Sequence, residues 1–147
     1  MISFYSVREE PYGCFSNFSG HGFKIDGVWW STSEHYFQAQ KFAGTPHEEA
    51  VRRAHSPKLA AEMGRDRKRP LRSDWESVKD DIMRRAVLHK FEAHAELRDL
   101  LLSTGNEEIV ENAPGDYYWG IGRDGSGRNM LGQILMEVRS ILRERAQ

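Results

Sequence analysis

The sequence predicts a single-domain α+β fold, predominantly helical, with a small antiparallel sheet. Three observations carry that expectation. Four hydroxyl residues stand at helix-start spacing ahead of segments with helical apolar periodicity. One pair of short β-rich runs flanks Asp26-Gly27. The 147 residues suffice for one compact core and leave little for a second.

Taken in chain order, Ile2 to Val7 is a short strand, followed by a turn-rich stretch from Pro11 to Gly22. Phe23-Lys24-Ile25 and Val28-Trp29-Trp30 form a hairpin around Asp26-Gly27, because the glycine tolerates the positive φ of a tight turn. Ser31-x-x-Glu34, Thr45-x-x-Glu48 and Ser73-x-x-Glu76 match the capping box, in which hydroxyl and carboxylate satisfy orphan amides reciprocally. Thr45-Pro46 and Ser56-Pro57 place proline at the first helical position, where its missing N–H costs nothing. Gly64 ends the helix from Pro57, and Gly105 ends one over Glu96 to Ser103. A long helix after Ser73 carries Trp75, Val78, Ile82 and Ala86 on one face. Glu108 to Glu111 and Tyr117 to Ile121 are short strands. The last helix opens after Asn129, with Leu131, Leu135, Val138 and Leu142 as its buried stripe.

Charge and composition exclude several functions. Twenty-one basic residues nearly cancel twenty-two acidic ones, so the uniformly basic surface of a duplex-DNA binder is absent. The single Cys14 cannot close an internal disulfide, which fits a reducing compartment. No run approaches the roughly 18 apolar residues of a membrane span. Met1 to Ser6 lacks a basic-then-apolar leader, so the cytoplasm is the expected location and no membrane partner is expected. His47-Glu48-Glu49 lacks the second histidine of a zinc motif, and the six histidines show no ligand spacing. There is no Gly-x-Ser-x-Gly elbow. Neither a metal, a cofactor nor a nucleophilic Ser or Cys is expected.

Three segments carry candidate chemistry. On a helix from Trp30 to Phe42, Glu34, Gln38 and Lys41 share one face, while Tyr36, Phe37, Ala39 and Phe42 make the rest too apolar for solvent. One polar stripe on a buried helix points to a cavity. The spacing alone leaves open that Glu34 only caps the helix and Lys41 reaches solvent. The second segment, Asp116 to Asn129, contains G-x-G-x-x-G from Gly120 to Gly125. Too little chain follows for a dinucleotide fold. A glycine loop entering a helix still offers amides to a phosphate, and Tyr118 and Trp119 offer ring faces to a base. The third segment packs Arg65, Arg67, Lys68, Arg69 and Arg72 into eight residues. Most of such a run is solvated surface. Arg65, next to Gly64, is the best phosphate candidate.

These segments together resemble the NADAR, or YbiA-like, N-glycosidase family. The resemblance rests on W-x-T-S-E-H-Y-F-Q-A-Q-K-F from Trp30, S-P-x-x-A-x-x-M-G-R-D-R from Ser56, and D-W-E-S-V-K from Asp74. It continues through L-H-K-F from Leu88, D-Y-Y-W-G from Asp116, and G-x-N-x-L-G-x-x-L-M-x-V-R from Gly127. Phe4-Tyr5-Ser6 and Phe15-Ser16-Asn17-Phe18 extend it towards the N-terminus. Each piece is weak alone, and their joint order is specific. Family members often carry W-G-D-G where this chain has Trp119-Gly120-Ile121-Gly122, so no carboxylate at position 121 acts here.

The resemblance implies hydrolysis of the C1′–N bond in phosphoribosylamino-pyrimidine intermediates of riboflavin biosynthesis. Two alternatives go with it: removal of ADP-ribose from guanine in DNA, and a binding module for ADP-ribose-like metabolites without turnover. Nucleic acid is the less favoured partner, and oligomeric state is open. Cleavage places positive charge on the sugar and negative charge on the departing base. Glu34 is therefore the expected carboxylate, activating water, with Asp116 the second carboxyl group. Lys41 becomes the nucleophile where a dry pocket depresses its pKa, and otherwise supports Glu34. The substrate-contacting set is Asn17, Trp30, Gln38, Arg65, Trp75, Trp119, Gly120 and Asn129. Within it Trp119 and Trp75 stack, Asn17 bonds the base, Arg65 holds phosphate, and Asn129 ends the phosphate-facing loop.

Overall fold

The computed structural model describes all residues from Met1 to Gln147. Its contacts divide the chain into two compact units, one continuous from Gly20 to Lys90, the other made of Met1–Ser19 and Phe91–Gln147. Helices dominate, with two small two-stranded sheets.

In the continuous unit, β2 (Phe23–Ile25) and β3 (Val28–Trp30) form an antiparallel pair, while β1 (Ile2–Phe4) belongs to the other unit. Asp26 (φ 51°) and Gly27 (φ 80°) make its turn, as their residue types dictate. Four helices follow: α1 (Ser33–Gln40), α2 (Pro46–Arg52), α3 (Pro57–Gly64) and α4 (Trp75–Ala93), whose last three residues belong to the other unit. Thr45 and Ser56 cap α2 and α3 through their side-chain oxygens, as expected. Phe23, Ile25, Trp30, Tyr36, Ala39, Phe42, Val51, Ala60 and Ala86 form one buried cluster beneath α1 and the hairpin.

Two helix starts differ from the sequence expectation. The N-cap of α1 is Thr32, not Ser31: Thr32 Oγ1 accepts the His35 N–H at 3.0 Å. Glu34 is thereby the second residue of the helix, one short of the capping-box position. α4 begins at Trp75, so the cap position falls on Asp74 rather than Ser73, and Glu76 is likewise the second residue of its helix. In both places neighbouring hydroxyl or carboxylate residues offer alternative caps that spacing cannot rank.

In the other unit, β1 pairs in parallel with β4 (Ile109–Glu111), Ile2 opposite Ile109. The strand expected from Ile2 to Val7 therefore stops at Phe4, and the sheet gains a parallel pair that local sequence does not encode. The segment Tyr117–Ile121, expected as a strand, is a series of bends. Its carbonyls are taken by the amides of residues 127–131, which lead into and open α6 (Met130–Arg145), rather than by a strand. α5 (Ala95–Ser103) ends at Gly105, whose φ of 63° suits glycine. Buried Arg139 on α6 donates to Thr104 Oγ1 (2.8 Å) and the Glu107 carbonyl (2.9 Å), closing the loop after α5.

Candidate active site

α1 is buried along Ser33–Ala39. Its polar side chains are consequently either functional or paid for by specific partners, since an unpaired buried polar group costs free energy. His35 is of the second kind. Its Nε2 lies 2.8 Å from the Ala54 carbonyl, which only accepts, so Nε2 carries the proton. Its Nδ1 then accepts from the Thr32 hydroxyl at 2.8 Å. Burial pushes the His35 pKa down, in keeping with a neutral ring. This closed network fixes the first turn of α1 and with it the direction of Glu34. A histidine three residues after a threonine cap is the sequence signal for this network, which helical spacing alone does not single out.

Glu34 is 9% exposed, and its Oε2 accepts a 2.8 Å hydrogen bond from Gln38 Nε2, one turn along the helix. Gln38 in turn abuts Gly64, where a Cβ would stand 1.8 Å from Gln38 Oε1. Gly64 was expected only to end α3. It is the last residue of that helix, and its missing side chain also makes room for Gln38. The Gly64 carbonyl accepts from Lys41 Nζ at 3.2 Å. The stripe expected on one face of α1 is thus a chain of contacts running Glu34, Gln38, Gly64, Lys41.

Lys41 is half-buried, and its Nζ lies 5.7 Å from the Trp75 ring centroid. Burial lowers its pKa, the positive charge of Arg65 lowers it further, and Glu34 pulls the other way, with a net fall. A cavity of about 290 Å³ opens here, its wall including Lys41, Gly64, Arg65, Arg67, Arg69 and Trp75. Four of these six are basic, and Asp66, which pairs with Arg69 at 3.5 Å, adds one carboxylate to the same wall. The fifth basic residue of the run, Arg72, is structural: its N–H and Nη1 bond the carbonyls of Lys41 (3.0 Å) and Gln40 (3.3 Å) at the end of α1. Trp75 packs on Phe37 with centroids 5.1 Å apart, leaving it 6% exposed.

Trp30 has no part in this cavity. It is 3% exposed and meets Tyr36 edge-on at 5.1 Å inside the core cluster. Its expected contact with substrate gives way to packing.

Asn17, Asp116, Trp119, Gly120 and Asn129 belong to the other unit. Asn17 is buried just after a short 3-10 turn (Tyr12–Phe15). Asp116 Oδ1 accepts the N–H groups of Tyr118 (3.0 Å) and Trp119 (2.8 Å), so the carboxylate shapes the turn that carries both rings. Those rings meet edge-on at 4.9 Å.

The glycine loop does not form the expected phosphate cradle. The amides of Ile121, Gly122, Gly125, Gly127, Arg128 and Asn129 all donate to carbonyls within the same unit. Those of Met130 and Leu131, at the start of α6, donate to the Tyr118 and Trp119 carbonyls. A Cβ on Gly120 would meet Ala113 Cβ and the Glu111 carbonyl at 2.9 Å, so that glycine serves close packing. Asn129, at φ 54°, accepts from the Glu111 N–H and donates to the Ile109 carbonyl, each at 2.9 Å. Its side chain extends the β4 ladder instead of facing a ligand.

Comparison with known proteins bears on this geometry. The NADAR domain model matches residues 3–143. The N-glycosidase YbiA of Escherichia coli K12 is 54% identical over 142 residues, covering 97% of this chain and 88% of that protein. An N-glycosidase of Nostoc punctiforme is 50% identical over 145 residues, covering 97% of this chain and 92% of its own length. The maize chloroplastic riboflavin biosynthesis protein PYRR is 42% identical over 155 residues, covering 95% of this chain and 25% of that protein. The NMR structure of Escherichia coli YbiA superposes with a TM-score of 0.91 at 53% identity, covering 99% of this chain and 86% of that one.

Proposed function

The chain belongs to the NADAR domain family, and from that premise we propose that it is an N-glycosidase hydrolysing riboflavin biosynthesis intermediates. The match of one NADAR model across both units supports reading them as one domain. No helix is long and apolar enough to cross a membrane, and we place the enzyme in the cytoplasm on its lone cysteine. The substrate in this reading is a phosphoribosylamino-pyrimidine, whose ribose C1′ is bonded to an exocyclic amino nitrogen.

The observation that carries the reading is the Glu34–Gln38–Gly64–Lys41 chain beside a cationic cavity. Arg65 and its neighbours there suit a sugar phosphate, since guanidinium forks match phosphate oxygens. Lys41 meets the condition for a nucleophile, because burial depresses its pKa and raises the share of free amine. A glycosylamine opens its ring to an imine at C1′. The Lys41 amine adds there and the amino-pyrimidine leaves, taking a proton. Water then adds to the Lys41 imine, releasing the sugar aldehyde and restoring the amine, so the net reaction consumes one water. Glu34 moves the protons: it takes one from the adding amine or water and gives one to the leaving nitrogen. The Gln38 amide holds the carboxylate in place, and Trp75 lies along the cavity wall beside the amine. Within its own unit, Asp116 sets the turn that carries the Tyr118 and Trp119 rings.

The test is direct. Purified protein incubated with 5-amino-6-(5-phosphoribosylamino)uracil should release free base and ribose 5-phosphate, as chromatography detects. Turnover of ADP-ribosylated guanine DNA with none of the pyrimidine substrate would replace this reading.

A further inference from the structure

The basic loop after α3 is tied to α2 through a side chain that has no part in the chemistry, His47. Arg69 Nη1 lies 2.8 Å from His47 Nδ1. A guanidinium only donates, so Nδ1 is the acceptor and Nε2 is the protonated nitrogen of the ring. The imidazole is itself held in place. His47 sits in the first turn of α2, and its backbone N–H donates to Thr45 Oγ1 at 3.2 Å. Its ring meets the buried Phe42 ring edge-on, with centroids 5.8 Å apart. Phe42 directly follows Lys41, so the histidine stands beside the end of the helix that carries the amine.

Within the loop, Asp66 is the brace. Its Oδ1 accepts the Lys68 N–H at 3.0 Å, its carbonyl accepts the Arg69 N–H at 3.1 Å, and its Oδ2 lies 3.5 Å from Arg69 Nε. That last approach is an ion pair too long for a hydrogen bond, and Arg69 Nε is buried with no hydrogen-bond partner. An unpaired buried N–H costs free energy. The guanidinium thus takes its place from His47, at the expense of a better bond to Asp66. Arg65 and Arg67 differ from Arg69. Both line the cavity, both are exposed, and neither makes an ion pair or a side-chain hydrogen bond within the protein. They are the forks left to receive an anion, while Arg69 ties down the loop that carries them.

We propose that His47 is a positioning residue for phosphate recognition: through Arg69 it fixes the 65–69 loop so that Arg65 and Arg67 stand ready for the phosphate of the sugar. The inference rests on the reading of this cavity as a sugar-phosphate site and adds a residue outside its wall on which affinity depends. A guanidinium fork grips phosphate through paired N–H groups of fixed direction, and a loop that must be ordered on binding subtracts that ordering from the affinity. His47 acts before the chemical step, so its loss falls on KM and leaves kcat.

Ribose 5-phosphate titrated into uniformly ¹⁵N-labelled protein and followed by NMR gives a Kd that needs no turnover. His47→Phe keeps a ring against Phe42 and removes the acceptor; it should weaken ribose 5-phosphate about tenfold, the scale of one charge-assisted hydrogen bond. His47→Asn puts an acceptor oxygen where Nδ1 stands and should restore most of the affinity. With 5-amino-6-(5-phosphoribosylamino)uracil as substrate, His47→Phe should raise KM by the same factor at constant kcat. The KM of the dephosphorylated counterpart should not move. Added to Arg69→Met, His47→Phe should cause no further loss, because the two residues act through one contact. Undiminished ribose 5-phosphate binding in folded His47→Phe, equal losses for phosphorylated and dephosphorylated substrates, or no rescue by asparagine overturns the proposal. Where His47→Phe fails to fold, the natural protein decides: ribose 5-phosphate should shift the Arg69 Nε–H and His47 ring signals, and unmoved signals overturn the proposal. The expected order of ribose 5-phosphate affinities without any turnover of the pyrimidine would remove the hydrolase reading and leave His47 in this role.

Discussion

Gln38 and Gly64 are in such close approach that no side chain larger than hydrogen fits between them; a Cβ on Gly64 would lie 1.8 Å from Gln38 Oε1. The same Gln38 donates to Glu34, and the Gly64 carbonyl accepts from Lys41. A glycine without catalytic atoms thus sets the spacing of two groups that have them. Gly64→Ala should push the Gln38 amide off Glu34. The obstacle is the far end of a side chain, so the fold should survive at a cost of about 1–3 kcal/mol. Turnover should fall further than that loss explains, measured as kcat in the fraction shown to be folded by circular dichroism. An alanine variant with lowered Tm and unchanged kcat would sever the link between Gln38 and catalysis.

Glu34 and Thr32 are separable by substitution because the cap of α1 is Thr32. Glu34→Gln should leave Tm nearly unchanged and reduce kcat by roughly a hundredfold or more, the scale of general acid–base help. Thr32→Ala should do the reverse at first order, costing about 0.5–2 kcal/mol of stability through the lost cap. Paired melting curves and turnover assays check both. Equal damage to stability and rate in Glu34→Gln would return the carboxylate to a structural role.

His35 gives the fold a pH dependence with a definite sign. Its pKa in the folded protein is lowered by burial, so the unfolded chain binds the proton more readily. The contribution of the neutral ring is therefore complete above the unfolded value of about 6.5 and is lost as pH falls from there through the lowered folded value. Tm should decline below about pH 6.5, and His35→Gln should flatten that limb while lowering Tm at neutral pH. A limb unaltered in the glutamine variant would assign it to other groups.

Asn129 replaces two β-ladder partners with one side chain, serving the Glu111 N–H and the Ile109 carbonyl. Asn129→Ala should leave both backbone groups unpaired and cost about 2–3 kcal/mol, visible in denaturant midpoints. The KM for substrate should change little in the folded fraction. A large rise in KM with unchanged stability would restore Asn129 to a ligand-facing role.

Local chemistry was legible in the sequence wherever one residue type is forced by geometry. Asp26-Gly27 could only be a tight turn, and Thr45-Pro46 and Ser56-Pro57 could only open helices. The polar stripe of α1 followed from helical spacing alone. What escaped depends on partners distant in the chain. The parallel pairing of Ile2 with Ile109 joins segments 107 residues apart, beyond any local pattern. The start of α1 offered Ser31, Thr32 and Ser33 as caps, and the choice of Thr32 is made by the ring of His35 reaching Ala54. The glycine loop looked like an anion cradle because its sequence shows flexible backbone but not where the amides point; they are consumed by carbonyls such as those of Tyr118 and Trp119.

Lys41 decides between a covalent and a direct-water route. Seven residues separate it from Glu34, about 10 Å along a helix axis at 1.5 Å per residue, so both meet one ribose only if the side chains converge. The Gly64 carbonyl draws Lys41 Nζ towards the residue that also abuts Gln38, which supplies the convergence. The Glu34 charge, the Gly64 carbonyl and the Trp75 ring favour the ammonium, whereas burial and Arg65 favour the amine, and the net shift is downward. Only the amine attacks C1′. The alkaline rise of kcat should therefore be complete at a pH below the ordinary lysine value of about 10.4. Borohydride added during turnover should reduce the imine to a stable amine and leave a sugar adduct that mass spectrometry maps to Lys41. Lys41→Arg keeps the charge but has no amine to give, so both adduct and turnover should disappear. Full turnover without any trapped adduct, together with substantial activity in Lys41→Arg, would mean that Glu34 activates water directly and that Lys41 contributes only its charge.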